Sequence, residues 1–472
     1  VPKTWATFTG DLLLELRGTR RRAGLEAALR EAVRSDRLAP GTPLPSSRAL
    51  AIELGLARNT VADAYAQLIA EGWLAARHGA GTRVADRIES DGRHGDQHSD
   101  VVRRPGSTQY SYDLRPGTPN LAAFPRTAWS AAARKALAHA PNEALGYPDP
   151  RGLPSLRQTL VEYLARVRGV RATSENVVIR SGFVQALHLL STALRRAGPG
   201  GVGIESYGLG VHRDIIEAAG LTTHPLTVDD GGARVDEVTV SGTAAVLLTP
   251  AHQFPIGVAL AAQRRAEVLR WASEHGRLVI EDDYDGEFRY DARPVGALQG
   301  LAPDRVAYIG TASKSLAPGL SLAWLVVPAH ALDGVLEAKR LSDRYTGIFE
   351  QLTLDEFIRS GGYDKHVRRS RLRYRQRRDA LVSVLADRAP DVAVTGIAAG
   401  LHAVLQLGRG LRATDEPSIC SRAGRAGLAV QGLDDFRRKP QPTAPAALVV
   451  GYGRPPDHDF AAALDALCDV LG

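Results

Sequence analysis

From Tyr112 onward, short apolar runs alternate with stretches of helical periodicity: NVVIRSG, GVGIESYG, AAVLLTPA, RLVIEDDYD, RVAYIGTAS and LAWLVVP. No other feature of the chain restricts its fold as much. Strand, helix, strand in succession means a largely parallel sheet wrapped by helices, an α/β fold. From about residue 360 the pattern restarts with a long Arg-rich helix and two further strand candidates, LHAVLQL and ALVVGYG, which predict a smaller α/β lobe.

The 472 residues exceed one ordinary core; at roughly 150 residues per domain, two or three are expected. Residues 1–86 hold short helical patterns and one Gly-rich turn. Residues 87–110, RIESDGRHGDQHSDVVRRPGSTQY, are polar, charged and nearly free of apolar periodicity, and read as a flexible linker. The alternating pattern fills 111–472. An apolar share of 44% and a charged share of 24% are those of a soluble globular protein. No apolar run approaches the ~20 residues of a membrane span. The opening stretch VPKTWATFTGDLLLELRGTRRR lacks a basic region leading into a long apolar run, so no signal peptide is expected. Cys420 and Cys468 make neither a disulfide framework nor a metal site, and a cytoplasmic location is expected. The net charge of +7 permits nucleic-acid binding without demanding it.

In the head, LAPGTPLPSSRALAIELGLARNTVADAYAQLIAEGWLAARHGAGTRVAD carries three signals in order. Pro45 and Ser46/Ser47 start a helix that ends at Gly55. A second helix runs from about Arg58 to Glu71, with Val61, Ala64, Tyr65, Leu68 and Ile69 on one buried face. Arg58, Asn59 and Thr60 stand at its start, the end that a helix-turn-helix pushes into the major groove. WLAARHGAGTRVAD reads as a hairpin wing with its tip at His78, Gly79, Ala80 and Gly81. Residues 24–85 resemble the GntR family of bacterial winged-helix regulators. The resemblance implies Ser46 and Arg48 at the DNA backbone, and Arg58, Asn59 and Thr60 at bases and backbone. It places His78, Gly79 and Thr82 along the minor-groove side. Where the family often has Ser before the recognition-helix arginine, this chain has Ala57.

The body frames one lysine. Lysine is rare here, and Lys314 follows the run ending at Gly310, with Thr311 and Ser313 between them. In RLVIEDDYDGEF, Asp282 and Tyr284 share one face of a strand, while Glu281 and Asp283 share the other. A carboxylate and a phenol side by side at a strand end suit a pyridine ring: one holds the ring nitrogen protonated, the other hydrogen-bonds the ring hydroxyl. A lysine one strand later supplies the imine to an aldehyde. Ser181, Gly182 and Phe183, between a strand and a helix, place backbone N–H groups where a phosphate binds. These features resemble fold type I pyridoxal 5′-phosphate (PLP) enzymes of the class I aminotransferase branch. The fit is closest to the MocR/GabR subfamily, which joins a GntR head to that domain. YPDPRGLPSLRQTLVEYLARVRGV, TPAHQFPIGVAL and YIGTASKSLAPGLSLAWLVVP follow the subfamily. The resemblance implies Lys314 as the Schiff-base lysine, Asp282 at the pyridine nitrogen and Tyr284 at the ring oxygen. His252 and Gln253 would lie against the ring's hydroxyl edge, and Tyr147 would reach the phosphate from a neighbouring subunit of a homodimer.

Three departures qualify that expectation. The subfamily usually has a phosphate-clamping arginine seven residues after the lysine; this chain has Ser321. The ring-stacking tyrosine of an E-D-P-G-Y stretch is replaced in ESYGLG by Leu209, with Tyr207 shifted two places. For the arginine that holds a substrate carboxylate, only Arg454 is on offer, in a shifted place. The expected function is therefore a DNA-binding transcriptional regulator whose aminotransferase-like domain senses PLP or a PLP–amine adduct, controlling vitamin B6 or amine metabolism. The alternative is an active aminotransferase whose head tethers it to DNA; a third reading keeps the domain for dimerisation alone. HVRRSRLRYRQRRDAL reads as a solvated helix face, or as an extra DNA-backbone contact.

Overall fold

The computed structural model of the chain describes residues 21–77, 81–86, 110–239, 242–290, 295–408, 410–439 and 441–472. They fall into two compact units, one ending by Ser107 and the other beginning at Thr108. The expected linker lies outside the described residues, apart from Tyr110.

Among the described residues the first unit has three helices, α1 (Arg21–Arg34), α2 (Ser47–Leu54) and α3 (Arg58–Ala70), then the antiparallel strands β1 (Leu74–Arg77) and β2 (Gly81–Val84). Leu25 and Leu29 of α1, Leu50 of α2, Val61, Ala64 and Leu68 of α3, and Leu74 and Val84 of the strands close one small core. Ser46 caps α2 by accepting the Ala49 N–H at 3.1 Å, and Gly55 ends it with φ 62°, a conformation that glycine adopts without strain. Ala57 occupies the corresponding position before α3 with extended backbone and no side-chain cap. Ala57→Ser should therefore restore one hydrogen bond to the first turn and stabilise the unit by about 1 kcal/mol. Urea unfolding of the full chain would show this as a higher midpoint for the head's transition with unchanged slope.

The second unit is built on a seven-stranded sheet. Its strands are β3 (Val177–Arg180), β4 (Gly201–Glu205), β5 (Thr222–Leu226), β6 (Thr243–Leu248), β7 (Leu278–Asp283), β8 (Val306–Thr311) and β9 (Ala323–Val326), in the order β3-β9-β8-β7-β6-β4-β5. All pairings are parallel except those of β9, which is antiparallel to both neighbours. Six of the seven fall where the apolar runs predict. The seventh, β5, reads TTHPL and carries no such run. It is an edge strand, where Pro225 has no outer partner to deny a hydrogen bond.

Helices cover both faces, which is why β7 and β8 are buried at every position. On one face Ile280, Ile309 and Leu325 pack with Ala186, Leu187 and Leu190 of α5 (Phe183–Ala197). On the other, Ile179, Tyr308 and Trp324 meet Leu156, Leu160 and Tyr163 of α4 (Pro154–Arg168). Val279 and Val306 meet Val268 and Ala272 of α6 (Ala262–His275). A four-residue helix, α7 (Ala312–Ser315), follows β8 directly. The C-terminal lobe begins with α8 (Gly362–Arg388) and forms the antiparallel sheet β10 (Ala393–Thr395), β11 (Ala403–Gln406), β12 (Gln431–Gly432) and β13 (Ala447–Val450), ordered β10-β11-β13-β12.

Candidate functional site

The carboxyl ends of β4, β6, β7 and β8 open into a cavity of about 550 Å³. Lys314 enters it because β8 stops abruptly. Gly310 lies against the Trp324 indole so closely that a Cβ would stand 2.1 Å from Nε1, so no larger residue fits there. Thr311 then caps α7, accepting the Ser313 N–H at 3.1 Å while its Oγ1 holds the Leu322 carbonyl at 3.1 Å. Lys314 Nζ donates to the Gly117 carbonyl. Burial lowers its proton affinity, against the pull of Asp282 and Asp285.

Asp282 faces Lys314 from the end of β7. It is 6% exposed, and its Oδ1 is buried with no hydrogen-bond partner. Burial, and then repulsion from Asp283, hold its carboxyl well above the usual carboxylate range. Glu281 and Asp283 point the other way, as alternation predicts. Glu281 accepts the Leu298 and Gln299 N–H groups at 2.8 Å, and Asp283 accepts Arg168 and the Tyr308 hydroxyl. Two of the three acids are thus satisfied by the fold. Asp282, which lines the cavity, is left with a buried acceptor that has no partner.

Ser181, Gly182 and Phe183 form the wall where β3 turns into α5; Gly182 takes φ 97° to make that turn. The first turn of α5, whose N–H groups have no partner within the helix, lines the cavity through Phe183 and Val184, an arrangement suited to an anion. Ser321 also lines it, with its hydroxyl donating to the Ser181 carbonyl at 3.1 Å. Tyr284, Thr311 and Ser313 are lining residues too. His252 and Gln253 are not. They stand behind the wall, His252 with Nδ1 2.8 Å from Asp285 and 3.1 Å from the Tyr284 hydroxyl, Gln253 donating to the Tyr207 and Phe254 carbonyls. Tyr147 lies outside its own chain's cavity, 91% exposed, with its ring 5.9 Å from that of Tyr345. Arg454 pairs with Asp113 at 2.8 Å and is not among the lining residues.

Several lining residues carry no local sequence signal. His212 places its ring 4.6 Å from that of Phe183, and burial followed by repulsion from Lys314 lowers it to about 4. This neutral imidazole and the phenyl ring make an aromatic wall near Leu209, where the stacking tyrosine is missing. Glu205, half-buried beside Thr249 and Gln253, is pushed up to about 7 by desolvation. Arg437 and Arg438, from the C-terminal lobe, bring Nε and Nη1 atoms that are buried without partners.

In the first unit, Arg48, Arg58 and Asn59 are exposed and make no side-chain hydrogen bond or ion pair among the described residues, and Thr60 and Thr82 are half-buried. Ser46 is spent on its own helix cap. His78 and Gly79 lie outside the described residues.

Residues 21–84 match the family described as bacterial regulatory proteins, gntR family, and residues 117–415 match aminotransferase class I and II. The chain is 32% identical over 384 residues to the HTH-type pyridoxine biosynthesis transcriptional regulator PdxR of Corynebacterium glutamicum, covering 81% of this chain and 82% of that protein. It is 30% identical over 406 residues to the probable rhizopine catabolism regulatory protein MocR of Rhizobium meliloti, covering 81% of each. Among solved structures, an archaeal alanine:glyoxylate aminotransferase superposes with a TM-score of 0.69 at 26% identity, over 76% of this chain and 90% of that one. A Pyrococcus horikoshii kynurenine aminotransferase superposes with a TM-score of 0.67 at 26% identity, over 77% and 91%.

Proposed function

Because the chain belongs to the MocR/GabR subfamily of GntR-type transcriptional regulators, we propose that α3 reads an operator and that the Lys314 cavity reports the vitamer state of the cell. Pyridoxal 5′-phosphate is the cofactor of this domain class. The observation that carries the reading is the unpartnered, buried Oδ1 of Asp282, an acceptor that a protonated ring nitrogen satisfies. When bound, the cofactor supplies an aldehyde open to attack by a primary amine.

This chain's residues divide the work. Lys314, whose proton affinity burial lowers, is the nucleophile. Asp282 holds a proton at the ring nitrogen, and Tyr284 donates to the ring oxygen. His252 and Asp285 brace Tyr284 from behind, and Gln253 fixes the loop through Tyr207 and Phe254. Ser181, Gly182, Phe183 and Ser313 bind the phosphate, with Thr311 fixing α7 and the partner subunit's Tyr147 completing the cup in a homodimer. In the head, Arg48 binds a phosphate, Arg58, Asn59 and Thr60 meet bases and backbone, and Ser46 orients α2. Thr82, with His78 and Gly79, follows the minor groove. A regulator that binds chromosomal DNA works in the cytoplasm.

Control of vitamin B6 synthesis, with PLP itself as effector, suits a cavity whose lining does not include Arg454, the one arginine on offer as a substrate-carboxylate clamp. An amine condensed with the cofactor is the finer alternative, with Arg437 and Arg438 placed to hold its anionic group. A working aminotransferase is disfavoured by Ser321 and Leu209. Effector action requires different affinities for two arrangements of the heads. Binding to the protein's own promoter region, measured by fluorescence anisotropy with and without PLP, should therefore shift on addition of the vitamer. Unchanged affinity sinks the sensor reading, and steady turnover of an amino acid with a keto-acid acceptor favours the enzyme.

Ser321 holds φ 51°, and arginine at this position adds no backbone strain beyond what serine already bears. Ser321→Arg replaces a neutral contact with a charged one and should tighten PLP binding by about tenfold or more. Spectral titration reads this directly.

A further inference from the structure

The arginines of HVRRSRLRYRQRRDAL lie on the 27-residue helix α8 and divide by face. Arg377 is buried and donates to the Tyr452 carbonyl at 3.0 Å and to Asp457 at 2.7 Å. Arg373 reaches Asp457 at 3.3 Å, and Arg375 stands 3.9 Å from Asp379. Arg368 and Arg371 do something else. They line a second cavity of about 410 Å³, which shares no lining residue with the cavity around Lys314.

Three more arginines open onto it, Arg166 and Arg168 from α4 and Arg289 from beyond β7. Its carboxylates are Asp364, which Arg166 binds at 2.8 Å, and Glu287, which burial and then repulsion from Asp283 push up to about 7. Arg168 is matched by Asp283 at 2.6 and 2.9 Å. Arg371 spends only its Nε, on the Glu287 carbonyl at 3.0 Å, and Arg368 makes no side-chain hydrogen bond or ion pair among the described residues. Arg265, which does not line this cavity, has a buried Nη1 without a partner; burial lowers its proton affinity, and repulsion from Arg168 and Arg289 works against the pull of Glu281 and Asp283. Positive charge is therefore in excess around a concave space of ligand size. Forked guanidinium N–H groups match the oxygens of phosphate or carboxylate, while Tyr163, Val167 and Val367 offer an apolar wall.

We propose that this cavity binds a small organic anion, its oxyanion held by Arg368 and Arg371 and its body against Tyr163, Val167 and Val367. The inference does not depend on the cofactor reading. It does place a second ligand on the reverse of the strand end that presents Asp282, since Arg168 clamps the adjacent Asp283.

The test is calorimetric titration of the full-length chain with inorganic phosphate and, separately, with acetate, each at constant ionic strength. The same titrations are run on the Arg368→Gln/Arg371→Gln double variant. Any phosphate taken up beside Lys314 is common to both proteins and cancels. At least one anion should bind the parent chain in the millimolar range and lose about tenfold or more in the double variant. A difference for phosphate identifies a phosphate ester as the ligand class, and one for acetate a carboxylate. Equal binding of both anions by both proteins, or no binding by the parent, overturns the proposal. If the double variant melts early, Arg371→Lys serves instead: it keeps the charge but not the fork, and should show a partial loss of the same anion.

Discussion

Incubation with pyridoxal 5′-phosphate followed by borohydride should leave one pyridoxyl group on Lys314, and none anywhere in Lys314→Ala. The effect is all or none because the amine is the bond-forming group. The visible absorption of the PLP-treated protein should vanish with it. The substitution leaves the fold little affected. Lys314 Nζ makes one hydrogen bond, to the Gly117 carbonyl, and removing the buried amine relieves its desolvation while taking away its attraction to Asp282 and Asp285. The pH dependence has a definite sign. Only the neutral amine attacks, and burial lowers the lysine's proton affinity, so capture should rise with pH through a midpoint below that of an ordinary lysine. Mass spectrometry of the reduced protein reads the site. A pyridoxyl group found on another lysine, or on none, would end the account of this cavity.

The second large effect belongs to the head. Arg58→Ala should weaken binding to the protein's own promoter region by about 10- to 100-fold, the ~1–3 kcal/mol of a base contact. Arg58 is the first residue of α3, where the open backbone N–H groups add positive potential toward a phosphate or a base edge. It is exposed and has no ion pair among the described residues, so its loss removes a contact without unfolding the unit. The salt dependence separates its two possible roles. A base contact lowers affinity at one operator position and leaves the slope of log affinity against log salt intact. A phosphate contact lowers that slope by about 1. Equal affinity of the two proteins at physiological salt would remove α3 from the interface.

How much of this was legible beforehand depended on the range of the interactions involved. Two of the head's three described helices, α2 and α3, the uncapped start of α3 at Ala57, and six strands of the large sheet were readable because caps and apolar periodicity act within a few residues. So was the division of labour in EDDY: a strand alternates faces, and Glu281, Asp282 and Asp283 part company accordingly. The strand TTHPL escaped because an edge position relaxes the demand for apolar side chains and for every N–H. Resemblance implies His252 and Gln253 at the ring's hydroxyl edge, and the fold adds what spacing does not show, His252 against the Tyr284 hydroxyl and Gln253 on the Tyr207 carbonyl. Arg454 stands in a shifted place for a carboxylate clamp, and the fold pairs it with Asp113.

The order of residues by itself determined the two-part organisation, the register of Lys314 behind Gly310, and the face on which Asp282 lies. Each of these is set by backbone geometry over one or two turns or strands. Only the folded chain decided which acid would lack a partner, that His212 would stand against Phe183, and that Arg437 and Arg438 would reach the cavity from the far lobe. It alone separated the arginines of α8 into those already paired and those facing a second cavity. Those outcomes depend on burial and on partners supplied by distant segments, and neither is encoded in spacing along the chain.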